Sequence, residues 1–267
     1  MNLEKFFEKS WIDYIKVTPS AKKILDLLES EGEIIKNDHI ALRTFSHPKV
    51  HLELFSEYFI SQGYLKKDKY LFPDKKLTAF HFEHQANPEL PKIFVSELDL
   101  SSFNENYQTL IDRLIEKVPE KATFVELYEL GNPWAGDLTY KEYEFLKNES
   151  EYAAWLAGMG FRANHFTVSL NHLKKYNSVE KVNALLKENG FSLNEAGGAI
   201  KGSPDTFLEQ SSTMADRLKI PFSDGLFEVS TCYYEFALRY KLKDGKYFQG
   251  FVAQSAGKIF ESTDLKD

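Results

Sequence analysis

The sequence predicts an α+β fold in which two βαβββ modules, preceded and joined by helices, form one incomplete barrel. Three observations carry this. The apolar pattern switches between helical and strand-like periods in the same order in both halves of the chain. Each half has a histidine in its first strand and a helix-ending glycine further on, His39 to Gly63 at 24 residues and His165 to Gly190 at 25. A chain of 267 residues, 43% hydrophobic and 27% charged, is long and apolar enough for one sizeable core.

The elements follow in order. Phe7, Trp11, Tyr14 and Ile15 recur at helical spacing, Thr18-Pro19-Ser20 interrupts, and Ile24, Leu27 and Leu28 make a second stripe, so residues 1–33 read as a helical cap. The first module, 34–100, opens with a strand over Asp38–Phe45. A helix entered at Pro48 carries Leu54, Phe55, Tyr58 and Phe59 and stops at Gly63, where a left-handed cap wants glycine. Strands at Tyr64–Leu71, Leu77–Phe82 and Lys92–Leu98 complete it. Residues 101–160 read as a mainly helical insertion with one Gly-Asn-Pro turn at Gly131–Pro133. The second module, 161–260 with its C-terminal segment, repeats the plan. A strand over Arg162–Leu170 leads to a helix through Val182, Leu185 and Leu186, then to strands near Phe207–Thr213 and Thr231–Tyr240. All four segments are expected to form a single domain, 1–267.

Composition excludes several functions. A net charge of −7 with no Lys/Arg-rich block argues against nucleic acid and anionic membrane as partners. No run approaches 18 apolar residues, and Met1–Phe7 alternates charged with apolar positions rather than forming a signal-peptide core. One cysteine, Cys232, rules out a disulfide framework or a multi-cysteine metal site, and it is expected to be an inert buried thiol. The expectation is a soluble cytoplasmic protein of undefined oligomeric state.

The chemistry-bearing residues sit in the strands. Alternation puts His39, Ala41 and Arg43 on one face, and His165, Thr167 and Ser169 on a polar face opposite Phe166, Val168 and Leu170. Glu235 lies among Tyr233, Tyr234 and Phe236, and a carboxylate in such surroundings needs a partner or a cation. Two imidazoles and one carboxylate with open positions left over is the pattern of non-haem Fe(II) oxygenases. Arg43, four residues after His39 and about 13 Å along the strand at ~3.3 Å per residue, suits the far carboxylate of a dicarboxylic acid.

Asp38-His39-Ile40-Ala41-Leu42-Arg43, Arg162-Ala163-Asn164-His165-Phe166-Thr167 and Tyr233-Tyr234-Glu235-Phe236 together resemble the landmark segments of the 2-oxoadipate dioxygenase/decarboxylase family, of the vicinal-oxygen-chelate superfamily. The resemblance runs from Ile34 to Phe260, and Phe94-Val95-Ser96-Glu97-Leu98 also looks familial. It implies Fe(II) held by His39, His165 and Glu235, a substrate carboxylate bound by Arg43, and conversion of 2-oxoadipate and O2 to 2-hydroxyglutarate and CO2. Well-studied bacterial members are longer. Their C-terminal substrate-contact stretch is matched here only partly, by Gln254-Ser255-Ala256-Gly257-Lys258, so Ser255 transfers while Gln254 puts an amide where an apolar contact stood.

Gln210 and Ser212 are further candidates for substrate hydrogen bonding. Glu97 is the alternative metal ligand, occupying in the first module roughly the place of Glu235 in the second. A fourth protein ligand would favour a lyase or isomerase using Zn, Mn or Ni; a non-catalytic metal- or ligand-binding module is the third class. His47, His51, His81, His84 and His172 are read as non-ligands, and no nucleophile is identified.

Overall fold

A computed structural model of the chain describes residues 1–263; the last four positions of the expected domain lie outside the described residues. Helices α1 (Leu3–Val17) and α2 (Pro19–Ser30) precede the first strand. The Asn2 side chain accepts from Lys5 N at 3.0 Å to start α1, and Pro19 opens α2, where a missing N–H costs nothing. Trp11 and Tyr14 pack their rings on Phe166, outside the sheet.

The first module is β1 (Asn37–Phe45), α3 (Leu52–Ser61), β2 (Tyr64–Phe72), β3 (Leu77–His84) and β4 (Lys92–Leu98). The insertion consists of α4 (Glu105–Ile115), α5 (Phe124–Leu130), α6 (Tyr140–Glu149) and α7 (Glu151–Met159). Capping boxes Thr123/Glu126 and Thr139/Glu142 start α5 and α6, each cap worth ~1 kcal/mol. The second module is β5 (Ala163–Ser169), α8 (Val179–Glu188), β6 (Lys201–Ser203), β7 (Leu208–Ser212), β8 (Arg217–Phe222), β9 (Gly225–Ser230) and β10 (Tyr233–Arg239), followed by α9 (Ala253–Ile259).

Eight strands form one curled half-barrel in the order β2-β3-β4-β1-β5-β10-β7-β6. In each half the first strand pairs in parallel with the last, β1 with β4 and β5 with β10. The two first strands pair antiparallel at the centre, so the repeat read from the sequence becomes one continuous sheet. Helix α9 packs against β2 on one edge and β6 and β7 near the other, and so lies across the opening of the barrel.

Two local expectations are corrected. The helix predicted to enter at Pro48 begins at Leu52, because residues 47–50 close a turn through Val50 N and His47 O. The hairpin β8–β9 stands apart from the large sheet and was not foreseen. Among the described residues its strands pair only with each other, and they carry Pro221 and many exposed positions, so their alternation is weak. Phe222 and Phe227 nonetheless dock it on Tyr140 of α6. The insertion is delivered to β5 through Gly160 at φ +70°, where a Cβ would lie 2.3 Å from Gly131 O.

Candidate metal centre

The central pairing of β1 with β5, and of β5 with β10, brings three inward-facing side chains together. His39, His165 and Glu235 are all buried, and one donor atom from each lies within 4.8 Å of the others. Glu235 Oε1 is 3.5 Å from His39 Nε2, and Oε2 is 3.2 Å from His165 Nε2. Two atoms each ~2.1 Å from one ion and at right angles to it lie ~3 Å apart, so the donors fit adjacent positions around a single divalent metal.

Electrostatics agree with that fit. Burial pushes the Glu235 carboxyl up to about 8, only partly offset by the Gln210 amide that donates to it. Burial lowers both imidazoles, His165 well below its ordinary value, so their Nε2 lone pairs are available at neutral pH. Burial alone would raise Asp38; the Arg239 charge overcomes it and, with hydrogen bonds from Arg239 and His39, holds the carboxyl well below the usual range. A buried acid with no cation of its own beside two neutral imidazoles is a site that gains from a bound cation.

A pH dependence follows for the metal-free protein. Well above pH 6.5 both histidines are neutral folded or unfolded, and Glu235 dominates this cluster. Unfolding releases its proton there, because its pKa falls from about 8 to the ordinary 4.5. The folded state binds more protons, so this contribution to stability falls as pH rises from about 7 to 8.5, by on the order of 1 kcal/mol. Thermal melts at a series of pH values should show that fall, and added divalent metal should abolish it. A flat profile without metal contradicts the raised carboxyl.

Arg43 is buried on the same face of β1. Its guanidinium lies 4.7 Å from the Tyr152 ring centroid and 5.0 Å from that of Trp155, beside the Tyr233 hydroxyl. Tyr152 is fixed by donating to Ser96 O at 2.6 Å and accepting from Thr44 N at 3.0 Å, so α7 closes this end of the barrel. Tyr233 stacks on His165, with ring centroids 4.7 Å apart. Phe251 packs edge-on against His39 at 4.8 Å. Sequence reading missed Tyr152, Trp155 and Phe251. The three-residue step from Tyr152 to Trp155 on a helix is the signal that could have paired the first two.

Other expected residues divide. Gln210 reaches the cluster through Glu235, and among the described residues its own buried carbonyl oxygen finds no hydrogen bond. Ser212 bonds instead to Ser262 at 2.7 Å. Ser255 is buried on α9, whereas Gln254 beside it is exposed and is not brought into the barrel. Glu97 does not join the histidines. It lies on the opposite face of β4, where its carboxylate accepts from Leu52 N at 2.6 Å and caps α3 in place of the expected proline start. Among the described residues, His47, His51, His81, His84 and His172 lie outside the cluster. Burial pushes the Cys232 thiol up to about 12.

The family model for 2-oxoadipate dioxygenase/decarboxylase matches residues 12–131 and 112–247. A chloroplastic/amyloplastic 2-oxoadipate dioxygenase/decarboxylase from Oryza sativa subsp. japonica is 36% identical over 94% of this chain and 75% of its own. The crystal structure of a hydroxyglutarate synthase from Oryza sativa in complex with 2-oxoadipate superposes with a TM-score of 0.84 at 33% identity, covering 97% of this chain and 92% of that one. A putative hydrolase from Shewanella frigidimarina NCIMB 400 gives a TM-score of 0.87 at 47% identity, over 94% and 98%.

The rice relative corrects the cytoplasmic expectation, since its name places it in plastids. The described helices are not long and apolar enough to cross a membrane, but such a property does not distinguish one aqueous compartment from another. With the family model matching most of the sequence and a relative above one-third identity along nearly all of it, this chain belongs to the 2-oxoadipate dioxygenase/decarboxylase family.

Proposed function

We propose that the protein is an Fe(II)-dependent dioxygenase that converts 2-oxoadipate and O2 to 2-hydroxyglutarate and CO2, with His39, His165 and Glu235 as metal ligands. The observation that carries this reading is the convergence of two Nε2 atoms and one carboxylate in a buried site, with a buried arginine further along the same strand. A metal held by these three residues would keep coordination positions free for a 2-oxo acid. Iron bound there would supply the oxygen activation, with the electrons coming from the substrate's own oxidative decarboxylation.

The chain's residues do the rest. Arg43, sandwiched by Tyr152 and Trp155, presents its guanidinium to the far carboxylate of the acid. Anchoring both ends of a flexible dicarboxylate fixes its reacting end without immobilising anything during the reaction. Gln210 steadies Glu235 and offers a buried amide oxygen to a donor on the substrate, and Ser255 on α9 contributes a hydroxyl from across the opening. Helix α7 excludes water from the Arg43 end, which strengthens the ion pair that forms there.

The test is O2 uptake by protein reconstituted anaerobically with Fe(II) and then given 2-oxoadipate or a panel of other 2-oxo acids. Uptake matched one-to-one by CO2 release, fastest with 2-oxoadipate and absent in His39→Ala, is expected. No uptake with any acid by protein that binds Fe(II) would refute the proposal.

A further inference from the structure

Going beyond this reading of the centre, and resting on it, we infer that Asp38 and Asn164 are paired positioning residues that set the orientation and donor strength of His39 and His165. The device is a β-bulge that occurs once in each module. In a regular strand, consecutive side chains face opposite sides, so the residue before a histidine cannot reach its ring. The pairing of β1 with β5 slips twice. Asn37 pairs with Val168 and His39 with Thr167, leaving Asp38 as the extra residue on β1. Ala41 pairs with His165 and Leu42 with Ala163, leaving Asn164 as the extra residue on β5. A bulge re-aims the side chain it carries. Here both bulged side chains turn to the ring that follows them, with Asp38 Oδ1 2.8 Å from His39 Nδ1 and Asn164 Oδ1 3.0 Å from His165 Nδ1. An acceptor on Nδ1 puts the ring proton there and leaves Nε2 as the donor toward the centre.

The two are not equivalent. Asp38 is gripped by Arg239 through Nε at 2.7 Å and Nη2 at 2.9 Å. Arg239 in turn donates through Nη1 to Phe248 O at 3.0 Å and Gly250 O at 2.8 Å, so the carboxylate is fixed from a segment beyond β10. Asn164 is neutral, and among the described residues its buried amide nitrogen finds no hydrogen bond. An orphaned buried donor costs about 1–3 kcal/mol, which an apolar residue would avoid. The contact with His165 Nδ1 is what the asparagine provides in exchange. His39 is therefore the more strongly donating and more rigidly held imidazole of the pair.

The experiment titrates metal-free wild type, Asn164→Ala and Asp38→Asn with Co(II) against a chelator, recording the cobalt absorption spectrum and the metal-free Tm. Asn164→Ala removes no charge partner and should keep its Tm, yet bind Co(II) about 10–100-fold more weakly with an altered spectrum. Asp38→Asn should weaken binding at least as much, with a lowered Tm because Arg239 loses its counter-ion. Wild-type affinity and spectrum in Asn164→Ala would overturn the inference while leaving the metal centre intact. Failure of wild type itself to bind Co(II) would instead sink the reading of the centre on which it rests.

Discussion

Glu235→Gln should make the metal-free protein as stable as wild type or more so, and should abolish its oxygen chemistry. The two effects have opposite signs for one reason. The carboxyl is buried and pushed up to about 8, so a neutral amide of the same shape removes an ionisation that the folded state resists. The same change removes the anionic member of the three-donor cluster. Structural zinc on four protein ligands is worth ~10–16 kcal/mol, or about 3–4 kcal/mol per ligand, so metal affinity should fall by about 10²–10³. Metal content after gel filtration, the metal-free Tm and O2 uptake are the three measurements. Retention of stoichiometric metal would remove Glu235 from the ligand set. A large loss of Tm would mean that its packing is structural.

Arg43→Ala should show the complementary pattern, with metal retained and substrate lost. The guanidinium lies between Tyr152 and Trp155 at the closed end of the barrel, where little water screens a carboxylate. Truncating one partner of a buried charge pair costs about 3–5 kcal/mol, so kcat/KM for 2-oxoadipate should fall by about 10²–10⁴. Arg43→Lys keeps the charge without the planar fork and should lie between the two. Monocarboxylic 2-oxo acids, which have no far carboxylate, should respond much less to either change. Equal losses for mono- and dicarboxylic acids would mean that Arg43 does not contact the far end of the substrate.

Much of this arrangement is legible in the sequence because strand alternation and helix period are local properties. Lys92–Leu98 is recovered residue for residue, and the placement of His39 and His165 in the first strands follows from the repeat. What is not legible depends on partners. The bulges at Asp38 and Asn164 exist only in the pairing of two strands far apart in the chain, and no local pattern marks a slipped register. Glu97 is one residue out of phase with the inward face of β4, and it faces the N-terminus of α3 instead. Gln254 and Ser255 are neighbours on one short helix, and which of them faces inward is decided by how α9 crosses the opening. Arg43 reads from the sequence as the partner of a substrate carboxylate; its aromatic sandwich comes from an insertion more than a hundred residues away.

The seam between β1 and β5 also governs the order of assembly. Each module can form its own four-stranded piece from contacts made within its own stretch of chain. The donor cluster cannot form that way, because His39 belongs to one piece and His165 and Glu235 to the other. Joining them closes a loop that contains the whole helical insertion, a non-local step of the kind that slows folding. High-affinity capture of an ion by this cluster would therefore be a late event. An ion held by all three donors would tie the halves together, and parting them along the seam would then break metal–ligand bonds.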